Sequence, residues 1–373
     1  MFLEMIFQPQ EIVNTAFYLA SRLVKMSGGG RLLCMAIVHE YDSIISIENL
    51  LVSWREFLPG KRKRTDVQEF EKELFANIHE LHTDLKNKTY VHNTYQAFKI
   101  NDPKPRDIHK AKVRDRLVHH AIYRILYPYF EKQFIYDSYS CRIGKGTHRA
   151  LDRFRVFHVN VSERNTRTCW VLKCDIRKFF ASIDHEILKC ILKKHIKDTD
   201  ICNLLFGIIN SFHTEKGTGL PLGNLTSQLL VNIYMNEFDH FVKYKLKVEH
   251  YIRYADDFVV FSRNKQQLET CLPLFSALLE HTLSLSVHPK KVSLRTISSG
   301  VDFLGWVHFP EHRVLRTSTK RKMLRQINEK NISSYLGMLS HGNAKKLERY
   351  IREHFSTSPQ PSPVQERDPM RRF

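Results

Sequence analysis

The stretch Tyr251–Phe261, with the sequence YIRYADDFVVF, sets two adjacent carboxylates between two apolar runs. Ile252 and Tyr254 before the acids, and the run Phe258–Phe261 after them, have the β-branched and aromatic composition of buried strands. The Ala-Asp-Asp between the runs predicts the tight turn of a hairpin. Two acids at one end of an apolar hairpin repel each other, so a positive charge is expected beside them. A solvated acidic turn is the plainer interpretation of the same residues.

A third acid, Asp175, weakens that plainer interpretation. It ends a short apolar stretch that begins at Trp170, and this pattern predicts a strand with the carboxylate at its end. With Asp256 and Asp257 it would form a cluster of three acids, whose hard oxygen ligands suit Mg²⁺. Two-metal phosphoryl transfer needs such a cluster, in which one ion activates an attacking hydroxyl and the other holds the triphosphate.

Two motifs carry a family resemblance. Tyr254–Asp257, which reads YADD, resembles the YxDD box of reverse transcriptases, and Asp175 with Phe179 and Phe180 behind it resembles their first palm motif. The motifs also follow the order of that family along much of the chain. The resemblance implies RNA-templated DNA synthesis from dNTPs with two Mg²⁺ ions as cofactors. The implied metal ligands and catalytic carboxylates are Asp175, Asp256 and Asp257.

The fold class implied by the resemblance is α+β, a right-hand polymerase with fingers, a palm built on an antiparallel sheet, and a short helical thumb. The predicted domains are a lead-in of uncertain role at 1–42, fingers at 43–168, the catalytic palm at 169–310, the thumb at 311–355, and a tail at 356–373. The tail is rich in Pro, Ser and charge, so we predict that it is disordered. Too few residues follow the thumb for a maturase, endonuclease or RNase H domain, and we expect those parts elsewhere.

The composition points to a polyanionic partner in the cytoplasm. The chain of 373 residues carries 58 Lys and Arg against 39 Asp and Glu, a net charge of +19. An excess of that size favours a nucleic acid partner over a merely solubilising surface. The seven cysteines include no CxxC pair, which is typical of reduced thiols in a cytoplasmic protein. No run approaches the roughly 20 apolar residues of a membrane span, so no membrane partner is expected.

A second predicted hairpin carries cations near its tip. Polar and apolar residues alternate over 95–100, which predicts a strand. Asn101-Asp102-Pro103 predicts a turn, and a return strand is predicted to begin at Arg106. We expect Lys99 and Arg106 to face each other, and the resemblance implies that they clamp the triphosphate of the incoming dNTP. The cations predicted to meet template phosphates are Lys112, Arg114 and Arg116, with generic surface charges as the alternative.

The nucleotide pocket is predicted around Phe180 and the stretch 219–228, GLPLGNLTSQ. The resemblance implies that Phe180 abuts the sugar and rejects a 2′-hydroxyl, with Phe179 in the core. Leu222 stands where most reverse transcriptases have Gln, and Gln228 stands where most have Pro. This form is similar to the enzymes of diversity-generating retroelements, in which it accompanies misincorporation opposite template adenine. The nucleotide-binding residues predicted here are Phe180, Leu222, Gly223 and Gln228.

Two further assignments follow the catalytic hairpin. Lys291 could protonate the pyrophosphate leaving group as a general acid, and the alternative is a lysine on a phosphate-facing surface. The stretch 300–309, GVDFLGWVHF, resembles the primer grip, so Gly305 and Trp306 are predicted to contact the template–primer.

The resulting hypothesis is an error-prone reverse transcriptase of a diversity-generating retroelement. Its expected partners are an RNA template, a DNA or RNA primer, dNTPs and a small basic accessory protein. The alternative enzymes are retron-like or defence-associated reverse transcriptases. A non-catalytic RNA-binding module with the same fold is the alternative from another class, and three intact, mutually repelling acids weigh against it.

Overall fold

The computed structural model describes residues 40–101 and 105–355. Most of the predicted lead-in at 1–42 and the whole predicted tail at 356–373 lie outside those ranges. The chain divides into two compact units, Met1–Thr296 and Ile297–Phe373. The boundary between the units comes earlier in the chain than the predicted palm–thumb boundary at residue 310. The predicted limits of the fingers, palm and thumb remain predictions.

Helices and a two-stranded hairpin form the first part of the first unit. Its elements are α1 Tyr41–Ile45, α2 Ile47–Phe57, α3 Thr65–Lys72, α4 Leu74–Lys86, β1 Gln96–Asn101, β2 Pro105–Lys110, α5 Val113–Gln133 and α6 Thr147–Val161. An apolar cluster that includes Leu50, Trp54, Leu81 and Leu117 joins α2, α4 and α5. Within α2, Leu50 and Trp54 lie four positions apart, the spacing that places both on one face of an amphipathic helix.

Two helix predictions in this part were wrong. Apolar residues at helical spacing over 66–86 predict a single helix, but the segment forms two, because Glu73 leaves the helical region with φ −119° and ψ 39°. The proline at 128 predicts that the helix from Asp115 ends nearby, but α5 continues to Gln133. Leu126 and Phe130, on either side of the proline, are both buried, and their packing holds the last turns in spite of the missing N–H.

A four-stranded antiparallel sheet forms the second part of the first unit. Its strands are β3 Trp170–Asp175, β4 Tyr251–Tyr254, β5 Asp257–Ser262 and β6 Ser293–Thr296, in the order β4-β5-β3-β6. The helices here are α7 His185–His195, α8 Thr199–Asn210, α9 Leu225–His240 and α10 Lys265–Leu283. Short turns of 3₁₀ or π type lie at Phe179–Ser182, Phe241–Lys245 and Pro289–Lys291.

Helices cover both faces of this sheet. Phe261 of β5 meets Phe154 of α6, with ring centroids 4.7 Å apart. Phe258 points to the opposite face, because side chains alternate along a strand. There it meets Phe238 of α9 at 5.1 Å and Phe275 of α10 at 5.8 Å. The apolar side chains of β5 are therefore buried on both faces of the sheet.

The second unit holds a small sheet and three helices. Its elements are a 3₁₀ turn Ile297–Ser299, β7 Val301–Phe303, β8 Trp306–His308, β9 Arg313–Leu315, α11 Thr317–Gln326, α12 Ile332–Leu339 and α13 Lys345–Phe355. The hairpin predicted at 300–309 is confirmed as β7–β8. The basic stretch 313–330 predicts a helix from Arg313, but α11 begins only at Thr317, because Val314 and Leu315 extend the sheet by pairing with β8. Within 40–101 and 105–355, no helix combines the length and apolar character that a membrane crossing requires.

Candidate active site

The three predicted acids meet at one edge of the sheet. Asp175 ends β3 and is the register partner of Asp257, which begins β5. Asp256 occupies the turn between β4 and β5, and its carbonyl accepts a hydrogen bond from the Ile176 amide at 3.1 Å. The predicted hairpin is confirmed, and its backbone holds Asp256 beside the strand that carries Asp175.

Burial and mutual repulsion dominate the electrostatics of this edge. Burial raises the pKa of Asp256 to about 6, and the neighbouring Asp257 and Asp175 add to that shift. Two lysines supply opposite charge. Nζ of Lys291 lies 2.5 Å from Oδ1 of Asp175, and Nζ of Lys173 lies 3.7 Å from Oδ1 of Asp257. The predicted cation beside the acids is therefore present.

The acids fit a divalent cation by their chemistry. They are three carboxylates on adjacent backbone segments, and carboxylate oxygens are the hard ligands that Mg²⁺ prefers. As the side chains stand, no three His, Cys, Asp or Glu residues in the described ranges form a ready metal-holding group. The ammonium of Lys291 engages Asp175 instead.

A buried ion pair supports the catalytic turn. Arg253 of β4 and Asp239 of α9 are both fully buried, and the guanidinium is 2.8 Å from Oδ1 and 2.7 Å from Oδ2 of Asp239. Nη1 of Arg253 also donates to the carbonyl of Ala255 at 3.2 Å. Ala255 has φ 55°, a left-handed conformation that is costly for a residue with a Cβ. The ion pair thus holds the strained residue immediately before Asp256.

This ion pair was not predicted from the sequence. The available signal was an arginine inside an otherwise apolar strand, because a charge in such a place needs a buried partner. Tyr251 adds a further contact, with its hydroxyl 2.7 Å from Oδ1 of Asp239.

The nucleotide loop, the predicted nucleotide-binding stretch 219–228, is hydrogen-bonded to the 3₁₀ turn Phe179–Ser182. The amide of Leu220 donates to the carbonyl of Phe180 at 2.8 Å. Phe179 is 4% exposed, as expected of a core residue, whereas Phe180 is half-buried. The structure therefore leaves the ring of Phe180, and not that of Phe179, accessible at the end of β3.

The same loop is tied to the β1–β2 hairpin on its other side. The amide of His109 in β2 donates to the carbonyl of Leu222 at 3.1 Å. Gly223 has φ +101°, and a Cβ there would lie 3.0 Å from Cγ2 of Ile108. Glycine is required for both the backbone conformation and the close approach. Gln228 lies half-buried in the first turn of α9.

One detail of the β1–β2 hairpin differs from the prediction. Lys99 pairs with Asp107, and Arg106 pairs with Ile100. Side chains alternate between faces, so Lys99 and Arg106 lie on opposite faces and do not face each other. The loop after Asn101 sets this register, since Asn101 pairs with Pro105. Arg106 shares its face with Ile108, the residue that lies against Gly223.

The cations predicted to meet the template divide into two kinds. Arg114 forms an ion pair with Asp84, and Arg116 forms one with Asp66. Lys112, which precedes α5, is exposed. The structure favours a packing role for both arginines over the predicted template contact, because their guanidinium groups already engage carboxylates within the chain. For Lys112 the contact remains a prediction.

The predicted primer-grip residues lie in the second unit. Gly305 occupies the β7–β8 turn with φ 85°. Trp306 is only 3% exposed, and a Cβ added at Gly342 would lie 2.0 Å from its Cζ3. The indole is therefore packed inside the unit, and contact of the template–primer with Gly305 and Trp306 remains a prediction.

Comparisons with known proteins agree with this geometry. The chain is 26% identical to Protein YkfC of Escherichia coli K12 over 255 residues, which are 58% of this chain and 65% of YkfC. It is 29% identical to the group II intron-encoded protein LtrA of Lactococcus lactis over 168 residues, 42% of this chain and 27% of LtrA. The chain thus spans less than two-thirds of either relative.

A solved telomerase structure from Candida tropicalis is also similar, with a TM-score of 0.45 and 13% identity over 61% of this chain and 55% of the telomerase chain. A family model described as reverse transcriptase (RNA-dependent DNA polymerase) matches residues 99–308, more than half of the sequence. That span contains most of the β1–β2 hairpin, the three acids and the loop at 219–228. This chain belongs to the reverse transcriptase family.

Proposed function

We propose that this chain is an RNA-directed DNA polymerase that extends a primer on an RNA template by nucleotidyl transfer. The observation that supports this function best is the convergence of Asp175, Asp256 and Asp257 at one sheet edge, where burial and repulsion raise the pKa of Asp256 to about 6. The test is primer extension by the purified full chain on a defined RNA template with dNTPs and Mg²⁺. Absence of extension on both RNA and DNA templates would contradict the proposal and favour a non-catalytic RNA-binding module.

The residues have distinct roles in the proposed mechanism. The three acids would hold two Mg²⁺ ions, which when bound supply charge neutralisation and activation of the primer hydroxyl. The ammonium of Lys291, placed at Asp175, is assigned to protonate the pyrophosphate oxygen as it leaves. Arg106 is assigned to the triphosphate, because its face of the hairpin borders the loop at Gly223. Lys99 points from the other face, so its contact with the nucleotide is the weaker proposal.

Phe180 is proposed as the gate that rejects ribonucleotides. Its half-buried ring lies in the turn after β3, and its carbonyl is bonded to Leu220 of the nucleotide loop. Phe180→Ala opens space for a 2′-hydroxyl without removing a carboxylate. We expect ribonucleotide use to rise about tenfold or more relative to deoxynucleotide use, since about 1.4 kcal/mol of lost discrimination is one decade.

The measurement is the ratio of kcat/KM for dNTP and for the matching rNTP. Phe179→Ala is the control, because its buried ring should affect stability and leave that ratio unchanged. A constant ratio in the Phe180 variant with reduced overall activity would instead place Phe180 in the core.

Template–primer binding is expected to depend steeply on salt. The net charge of +19 favours contacts with many phosphates, and each contact releases counterions. With about six phosphate contacts, affinity should fall roughly a thousandfold between about 50 and 200 mM salt. Fluorescence anisotropy of a labelled RNA–primer duplex across a salt series measures the slope. A flat response would show that the positive charge serves another purpose.

The finer proposal is an error-prone enzyme of a diversity-generating retroelement. It is supported by Leu222 and Gln228 at the positions that mark that group, and by the carbonyl contact that places Leu222 beside the hairpin. The proposed partners are the RNA template, a DNA or RNA primer and a small basic accessory protein, in the cytoplasm. A retron-like or defence-associated role is the alternative, and flanking DNA with a template repeat and a near-identical variable repeat would favour the diversity-generating role.

Leu222→Gln is expected to raise fidelity opposite template adenine. A glutamine there can hydrogen-bond the incoming nucleotide, and one such bond contributes about 0.5–1.5 kcal/mol. The error frequency opposite adenine should therefore fall by up to about tenfold. Sequencing of products from one adenine-containing RNA measures the spectrum, with Leu222→Met as the apolar control. Equal error frequencies in all three proteins would refute the assignment.

A further inference from the structure

Asn224 occupies the N-cap position of α9 but does not cap that helix. Asparagine is among the favoured N-cap residues because its side-chain oxygen can accept a backbone N–H of the first turn. Here the side chain makes no capping hydrogen bond. Its Nδ2 instead donates to the carbonyl of His109 in β2, at 2.9 Å.

This bond completes a junction between the hairpin and the nucleotide loop. The amide of His109 donates to Leu222 at 3.1 Å, so both backbone groups of His109 are bonded to the segment 222–224. His109 is the register partner of Ala97 within the hairpin. The loop therefore pairs with the outer edge of β2, the edge that does not face β1.

The rest of the hairpin base is anchored to the segment that leads into the same loop. The ring of His109 packs edge-on against Phe212, with centroids 4.5 Å apart. The hydroxyl of Tyr95, just before β1, lies 3.0 Å from Oγ of Ser211. These contacts at its base help to set the position of the hairpin.

The side chain of Asn224 lies in an unfavourable environment when it makes this bond. The residue is 3% exposed. Its Oδ1 is buried and has no hydrogen-bond partner among the residues described. A buried acceptor without a partner is disfavoured, and so is an uncapped first turn. Helix stability alone therefore does not account for an asparagine held in this orientation.

We propose that Asn224 is a positioning residue that fixes the β1–β2 hairpin to the nucleotide loop. This bond holds one face of the hairpin beside the loop. That face carries Arg106 and Ile108, and the loop carries Leu222 and Gly223. Together they form one surface for contact with the incoming dNTP. The proposal rests on the proposed polymerase function for its nucleotide. The contact between hairpin and loop is a property of the protein without substrate.

Asn224→Asp separates the two roles that this position can have. Aspartate keeps the size of the side chain and is a good N-cap, so the capping of α9 should not be weakened. A carboxylate has no N–H to donate to His109 and repels its carbonyl. Asn264→Asp is the matched control, since Asn264 caps α10 with Oδ1 2.9 Å from the amide of Gln266.

Two measurements are made on the full chain. The first is amide hydrogen exchange of residues 105–110 without substrate, and the second is steady-state incorporation of one dNTP. For Asn224→Asp we expect faster exchange in that segment and a KM for dNTP raised about tenfold, the size expected for one lost buried hydrogen bond. The kcat and the affinity for template–primer should change less than twofold, and Asn264→Asp should match the unchanged protein in both measurements.

The outcomes are distinguishable from a failure of the proposed function. If the unchanged protein extends no primer, the polymerase assignment fails, while the exchange measurement still tests the junction. Exchange at the normal rate in Asn224→Asp would overturn the junction, and faster exchange with an unchanged KM would overturn its role in nucleotide binding. If thermal melting shows that the aspartate variant does not fold, Asn224→Ser replaces it, because serine also caps helices and is too short to reach His109.

Discussion

Asp256→Asn is expected to abolish primer extension while leaving binding of the RNA–primer duplex close to normal. The side chain lies in the turn between β4 and β5, beside Asp175 and Asp257, and it is the acid whose pKa the site raises to about 6. Asparagine keeps the shape but removes the charge that a divalent cation requires. Metal assistance supplies several kcal/mol to such reactions, so we expect a loss of about a thousandfold or more.

The same change should not destabilise the fold. Because Asp175 and Asp257 repel Asp256, removing one of the three charges relieves repulsion within a buried cluster. Thermal melting should therefore give an equal or higher Tm for the variant. Asp42→Asn, at an exposed position in α1, is the control for a change of one charge. Retained extension by Asp256→Asn would remove Asp256 from the mechanism, and equal loss of binding and extension would indicate a structural role.

Local patterns predicted the elements of the site well. The alternation around Ala-Asp-Asp predicted the β4–β5 hairpin, because strand composition and turn chemistry are both encoded within about ten residues. The sequence also predicts a helix over 265–283, the limits that α10 has, and its N-cap at Asn264 is a local signal. The cluster of three acids was predicted from the same local patterns, whereas the antiparallel palm sheet followed from the family resemblance, which the match over 99–308 supports.

What the sequence did not predict depends on contacts between distant segments. The register of β1–β2 depends on the number of residues in one loop, and an error of one residue moves Lys99 to the other face. Trp306 is buried because Gly342, far along the chain, leaves room for its ring. The contact of Asn224 with His109 joins residues 115 positions apart. The residue pattern within a single helix or strand does not indicate such contacts between distant segments.

Arg253→Met is expected to destabilise the protein strongly. The change leaves Asp239 buried and without its cation, and breaking a buried ion pair in this way costs about 3–5 kcal/mol. That is a large part of the roughly 5–15 kcal/mol that holds a typical domain folded. Urea unfolding of the full chain should show a clear fall in the midpoint. A midpoint within error of the unchanged protein would show that Asp239 finds another partner or takes up a proton at little cost.

The double variant Arg253→Met with Asp239→Asn separates stability from positioning. Both charges are gone, and the asparagine oxygen can still accept from the hydroxyl of Tyr251, so much of the lost stability should return. The carbonyl of Ala255 nevertheless lacks its donor, and Ala255 must keep a left-handed φ of 55° for Asp256 to reach its place. We therefore expect kcat to stay about tenfold or more below that of the unchanged protein, because about 1.4 kcal/mol of lost positioning is one decade. Recovery of kcat together with stability would mean that the ion pair stabilises the fold alone, and that the strand register suffices to place the catalytic turn.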